Sequence, residues 1–446
     1  MTRLITMTDT AKPAPGSPAW QIQTLTASAI RLARDGDLAG AERIYEQILE
    51  AAPYNVRALN ALATRAAQRG DLNRAQVLLE RAVQSAPTHP IAHENLGHLL
   101  SAKGEKELAL ACFRKASDLK PDFVFSWIYQ ANILEELGRL EEAIPLYAKV
   151  ASMAPPEAVV ATDPRIRDDK RPIVLRALQR FRAILCDELL GSIGELRDQF
   201  GDAAMQRIID CVKIKSGATA PRYLHALQKP EWLYIPDLEP RAFFERDQFA
   251  WAPELEAQTD SIRNELATLL ESEANVVPYV QISGDGDKHQ WTTLNYSSAW
   301  SAYHLLKDAS PVADHCEKCP ATSAATGNVP MVRIERHAPE VFFSILKPGT
   351  HIPPHHGLGN YKLAVHLPLM VPESCGIRVG HETHEWREGQ CLIFDDSFQH
   401  EAWNRSEQLR AVLILEVWNP GLSEPERAGI RHVMAAWHNF NQKYQQ

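Results

Sequence analysis

Small and large apolar residues in the first third of the chain recur with a fixed step. Gly36, Gly70, Gly104 and Gly138 lie 34 residues apart, and so do Ala41, Ala75, Ala109 and Ala143. Tyr45, Leu79, Phe113 and Tyr147 keep the same phase, as do Pro53, Pro87, Pro121 and Pro155. A helical hairpin explains each role: glycine at the turn, alanine where two helices cross closely, a large apolar residue packed inward, and proline after the second helix. The period predicts helical repeats over residues 26–160, preceded by a disordered leader over 1–25 that contains the Pro/Ala/Ser/Thr-rich stretch Thr8 to Pro18. Over 161–275 apolar residues fall at helical spacing, as in Ile173 to Leu190 and Ile262 to Leu270, with a mixed stretch from Pro221 to Pro240. This predicts a mainly helical connecting region. After Pro278 the period shortens towards two, with apolar runs Val341 to Leu346, Leu363 to Val371, Cys391 to Phe394 and Ala411 to Trp418 between turn residues. Such runs predict an antiparallel sandwich or barrel over 276–422, followed by a C-terminal helix over 423–446.

The 34-residue repeat resembles the tetratricopeptide repeat over about Thr26 to Pro156. Stacked repeats of this kind form a concave surface that commonly holds polypeptide. The resemblance therefore implies a protein or peptide partner, with a dimerisation or spacer role as the alternative.

Composition narrows the class. The chain has 446 residues, too many for one ordinary core, and 45% hydrophobic with 23% charged residues is the balance of a folded globular protein. With 47 Lys+Arg against 56 Asp+Glu, the net charge of −9 offers no positive field for a polyanion, which argues against nucleic acid as a partner. No apolar stretch approaches the length of a membrane span, and Met1 to Trp20 has no apolar core, so the expectation is a cytoplasmic protein without an integral membrane segment. Seven scattered cysteines do not read as a secreted disulfide framework.

Candidate chemistry is concentrated in the strand-rich half. His351, His355, His356, His366, His381, His384 and His400 place seven of 17 histidines within 50 residues. They sit around PGTHIPPHHGLGN (Pro348 to Asn360), KLAVHLPL (Lys362 to Leu369) and IFDDSFQHEAWN (Ile393 to Asn404). Together with CGIRVG (Cys375 to Gly380), WREGQ (Trp386 to Gln390) and LRAVLILEVWNP (Leu409 to Pro420), these stretches resemble the aspartyl/asparaginyl β-hydroxylase family over about Trp291 to Leu422. The resemblance implies a double-stranded β-helix of jelly-roll or cupin type, and Fe(II) with 2-oxoglutarate and O₂ as co-substrates. It also implies hydroxylation of a C–H bond, first of all the β-carbon of Asp or Asn in a polypeptide.

On this resemblance His355 and His400 are the expected iron ligands, with His356 and His351 as competitors in the first motif. Two residues after His355 stands Gly357. It has no carboxylate to complete the common two-histidine, one-carboxylate set, and in this family water takes that place. Arg410, on the same face of its strand as Val412 and Ile414, is the expected guanidinium for a 2-oxoglutarate carboxylate. By resemblance His366 and Ser344 also contact the co-substrate and Trp291 lines its pocket. Many family members have arginine two positions before His366, where this chain has Ala364. That departure leaves neighbouring Lys362 without an assigned role. Asp395 and Asp396 are expected to form the turn that aims His400, and Arg378 is a candidate contact for a substrate carboxylate. Cys316 and Cys319 have CxxC spacing without a second pair, and are expected on a loop bordering the substrate entrance. Two other readings stand beside protein hydroxylation. One is a hydroxylase of a lipid acyl chain or small molecule; the other is a non-catalytic repeat scaffold, against which the set His355, His400 and Arg410 argues.

Overall fold

The computed structural model describes residues 14–153, 157–160, 162–163, 166–272, 276–283 and 290–444. Eight helices form the repeat region: α1 (Pro18–Arg34), α2 (Leu38–Ala51), α3 (Val56–Gln68), α4 (Leu72–Ser85), α5 (Pro90–Ala102), α6 (Lys106–Leu119), α7 (Val124–Glu136) and α8 (Leu140–Met153). Gly36, Gly70, Gly104 and Gly138 turn between the helices of each pair with φ of +88°, +84°, +82° and +75°, a conformation that favours glycine. The four periodic alanines and the four large apolar residues are all buried. Pro53, Pro87 and Pro121 follow the second helices, while Pro155 lies outside the described residues.

The expected leader needs correction. Residues 1–13 lie outside the described residues, but α1 begins at Pro18 rather than after residue 25. Ser17 caps it by accepting from the Trp20 amide, Pro18 occupies the first turn, and Ala29 is fully buried. Each hairpin needs a first helix, and α1 supplies it for the pair that turns at Gly36.

Beyond the short α9 (Glu157–Val160) runs α10 (Arg171–Ser192), within which the chain divides into two compact units, between Phe181 and Arg182. The second unit begins with α11 (Gly194–Phe200) and α12 (Asp202–Lys215), then β1 (Phe243–Phe244), α13 (Ala252–Glu256), α14 (Thr259–Glu271) and β2 (Val277–Pro278). Next come β3 (Trp300–Lys307), β4 (Ser310–Pro311), α15 (Ala313–Lys318) and α16 (Pro320–Gly327). The remaining strands are β5 (Val341–Leu346), β6 (His351–His355), β7 (Lys362–Met370), β8 (Cys375–Val379), β9 (Glu382–His384), β10 (Leu392–Phe394), β11 (His400–Asn404) and β12 (Arg410–Trp418), before α17 (Glu424–Tyr444).

Two antiparallel sheets face each other. The larger runs β1-β10-β7-β12-β5-β3-β2 with β4 beside β3, and the smaller runs β6-β11-β8-β9. Strands β5 to β12 thus alternate between the sheets except at the β8–β9 hairpin, which stays in the smaller one, and this is double-stranded β-helix order. The segment read as a connector contributes to this unit. β1 pairs with β10 through Phe243↔Phe394, and Trp232 and Leu233 donate backbone hydrogen bonds to Leu358 O at 3.0 and 2.9 Å.

The larger sheet is buried on both faces, which explains the unbroken apolar runs. Val341, Phe343 and Ile345 of β5 and Leu413, Leu415 and Val417 of β12 pack outward against Ile262, Leu266 and Leu269 of α14. The alternate residues of the same strands face the smaller sheet. Cys316 and Cys319 are free thiols on or beside α15, packed in the outer core. They do not line the central cavity, so their expected place at its entrance is corrected.

Candidate functional site

A cavity of about 510 Å³ opens between the sheets. The strand pairing places His355, last in β6, directly opposite His400, first in β11, next to an irregularity between His400 and Ala402. Their rings lie 4.0 Å apart between centroids. His355 Nδ1 donates to Pro353 O at 2.8 Å and His400 Nδ1 to Phe398 O at 3.0 Å, since a carbonyl can only accept. Each neutral ring therefore keeps its Nε2 lone pair free. Burial pushes the His355 pKa down to about 3 and that of His400 down to about 4, so both rings are neutral at physiological pH. Two half-buried, neutral imidazoles side by side at the cavity wall fit a first-row divalent metal.

His351 is set apart, exposed on the far side of β6 and bonded to Glu401 at 2.8 Å. His356 lies at the cavity wall, hydrogen-bonded to the backbone of Leu227. Among the described residues no group of three His, Cys, Asp or Glu is arranged around one metal position. The two aspartates before His400 behave differently from one another. Asp395 forms the turn, accepting from Ser397 N at 2.9 Å and Gln228 Nε2 at 2.8 Å. Asp396, in contrast, turns into the cavity, and its Oδ1 is buried without a hydrogen-bond partner. A Cβ placed on Gly357 would lie 2.3 Å from the Asp396 carboxylate. The space that a side chain at 357 would use is thus filled by a carboxylate from the β10–β11 turn. Burial pushes the Asp396 pKa up to about 6.

The floor is the inner face of β12, β5 and β7. Arg410, at 1% exposure, donates from Nη1 to Ser344 O at 3.3 Å and Ser344 Oγ at 3.2 Å, and its guanidinium lies 4.6 Å from the Trp386 ring centre. Its Nε has no partner, and among the described residues no carboxylate is within ion-pair reach. Desolvation brings its pKa down to about 10. Ser344 Oγ also accepts from Trp300 Nε1 at 3.1 Å, leaving the hydroxyl proton available. His366 Nδ1 accepts from Trp386 Nε1 at 3.2 Å, which puts the ring proton on Nε2. Trp291 lies edge-on to His355 at 5.0 Å and lines the cavity. Arg410, Ser344 and His366 therefore form a donor cluster below the histidine pair.

The other candidate cations are committed. Lys362 is ion-paired with Glu416. Arg378 donates to Glu401 Oε1 at 2.7 Å and Gly380 O at 3.0 Å and does not line the cavity, so it is no free substrate contact. Sequence reasoning missed Trp386 and Trp300, which orient His366 and Ser344. It also missed the cavity-facing carboxylates of Asp396 and Glu340. An indole role was not readable there, because a tryptophan beside a strand is most often core.

Comparison with known proteins agrees with both halves. Residues 256–420 match the aspartyl/asparaginyl beta-hydroxylase family, and residues 60–122 and 94–158 match the tetratricopeptide repeat. "Aspartate beta-hydroxylase domain-containing protein 2" of Xenopus tropicalis is 31% identical over 48% of this chain and 58% of its own length. "Ornithine lipid ester-linked acyl 2-hydroxylase" of Rhizobium tropici is 35% identical over 40% of this chain and 60% of its own. "Aspartyl/asparaginyl beta-hydroxylase" of Homo sapiens is 36% identical over 31% of this chain and 18% of its own. The chain thus spans less than two thirds of the length of these relatives. Among the described residues no helix is long and apolar enough to cross a membrane.

Proposed function

Because the chain carries an aspartyl/asparaginyl β-hydroxylase domain together with tetratricopeptide repeats, we propose that it is an Fe(II)- and 2-oxoglutarate-dependent dioxygenase acting on Asp or Asn side chains of a polypeptide. The observation that carries this reading is Arg410: a buried guanidinium, without a counter-ion among the described residues, facing a cavity that also holds two neutral histidines. An uncompensated buried cation is costly, and a ligand carboxylate offsets that cost.

Iron(II), 2-oxoglutarate and O₂ would supply decarboxylation of the oxoacid to succinate and CO₂ and transfer of one oxygen atom to a C–H bond. His355 and His400 would hold the metal through Nε2, each ring fixed by its Nδ1–H bond to a backbone carbonyl. Arg410 and the Ser344 hydroxyl would receive the distal carboxylate of the oxoacid, and His366 would add its Nε2–H. Trp386 fixes that tautomer while its face supports the guanidinium. Asp396 offers an unpartnered carboxylate oxygen beside Gly357 and would serve there as a hydrogen-bond acceptor in the same cavity. Trp291 packs edge-on against the His355 ring at the cavity wall. The repeats present the polypeptide partner.

A second reading, acyl-chain hydroxylation, draws on the Rhizobium tropici relative and on the apolar cavity residues Val280, Ile282, Phe342 and Ile414. Succinate formation from 2-oxoglutarate with Fe(II) under O₂ tests the common core, and stimulation by peptide or by lipid extract separates the two. No succinate with either addition would contradict the oxygenase reading.

A further inference from the structure

The cavity has a second polar end, and its charge is opposite to the first. Glu340 immediately precedes β5 and lies four residues before Ser344, which at strand rise is about 13 Å along the same inner face. Around Glu340 the cavity is lined by Asp308, Glu416, Lys362 and His337, so three carboxylates meet one ammonium. His337 adds no charge, since burial pushes its pKa down to about 4. Lys307 also faces Glu340 but does not line the cavity.

Glu416 is fully engaged. It holds the Lys362 ammonium and accepts the backbone N–H of Glu340 at 3.1 Å. Glu340 is not. Among the described residues its carboxylate has neither a hydrogen bond nor an ion pair, although it is largely withdrawn from water. Between this end and Arg410 the floor is apolar, made by Phe342, Ala364 and Ile414, with Tyr279 stacked on Phe342 at 5.3 Å. The cavity thus has one uncommitted cation, deep beside Ser344, and at the far end the uncommitted carboxylate of Glu340, which is distinct from Asp396 beside Gly357 and, unlike Asp308, is withdrawn from solvent. Arg410 Nε, buried and unpartnered, independently marks this cavity as a ligand site.

Burial, with Glu416 beside it, pushes the Glu340 pKa up to about 7. Above that pH a carboxylate-bearing substrate group set against it would meet like charge in a site with little water, whereas an N–H group would find a free acceptor. Resting on the oxygenase reading above, we propose that Glu340 selects an N–H-bearing substrate group, so that asparagine is taken and aspartate refused. Glu340 acts by binding and takes no part in the oxidation itself.

The test uses the full chain with Fe(II), 2-oxoglutarate and O₂, and measures succinate formed in response to two matched probes, N-acetyl-asparagine methylamide and N-acetyl-aspartate methylamide. The asparaginyl probe is expected to stimulate turnover about 100-fold more effectively per unit concentration. Glu340→Gln, close in volume, should bring the ratio of the two responses towards one, and Glu340→Lys should invert it. Thermal melts of both variants show whether the fold is kept, and either variant alone suffices to read the ratio. An equal or greater response to the aspartyl probe, no response to either probe, or an unchanged ratio in both variants overturns the selection. Absence of succinate even without a probe, in a metal-loaded preparation, would count against the oxygenase reading instead.

Discussion

Two cations lie buried on the inner face of one sheet, and they differ in a single respect. Lys362, 6% exposed, faces Glu416, and the paired charge holds its pKa well above the usual lysine value against the opposing effect of burial. Arg410, 1% exposed, has only the oxygens of Ser344 and the face of Trp386, and burial lowers its pKa. A buried ion pair is internally balanced and serves the fold; a buried cation without its anion serves a ligand. The fold places these two states at opposite ends of one cavity.

The largest expected effect strikes the metal site between those ends. His400→Ala should lower succinate formation by about three orders of magnitude, because one histidine cannot hold the metal alone. Breaking the paired end should cost stability instead. Lys362→Met leaves Glu416 buried and uncompensated, and urea unfolding should show a loss of about 3–5 kcal/mol. Arg410→Met in the same assay breaks no ion pair, and should change stability by about 1 kcal/mol or less in the absence of 2-oxoglutarate. Equal losses in the two variants would dissolve the distinction between the cations. Trp386→Phe keeps an aromatic face under Arg410 but removes the N–H that fixes His366. The KM for 2-oxoglutarate should rise about 5- to 10-fold with little change in kcat. Smallest is a change in the other unit. Gly104→Ala meets no atom within 4 Å, yet its φ of +82° should cost about 1 kcal/mol in the repeat unit's unfolding, with succinate formation unaltered.

Much of the fold was legible because its signals are local. The 34-residue step marks every glycine turn, and the run Val341 to Leu346 coincides with β5. The first half of the helix before Gly36 was lost in a leader reading because Pro18 and its neighbours suggest disorder, although stepping back 34 residues from α3 at Val56 reaches residue 22, within α1. The smaller sheet gave weak apolar runs, since β6 is HIPPH and β9 is ETH, both partly in contact with solvent or cavity. Within the site, the histidine pair and Arg410 were readable from motif and pleat. The roles of Asp396 and Glu340 were not. Each depends on which carboxylate meets a partner across the fold, and Asp395 and Asp396, adjacent in sequence, differ in that alone.

On the proposed function, Arg410 is left without an anion so that 2-oxoglutarate can supply one. Calorimetric titration of 2-oxoglutarate into the Mn(II)-loaded full chain, wild type against Arg410→Met, tests it without any oxidation. The account predicts saturable binding by the wild type and affinity at least about 100-fold weaker in the variant. Equal affinity in the two proteins, or no binding by the metal-loaded wild type, would contradict it.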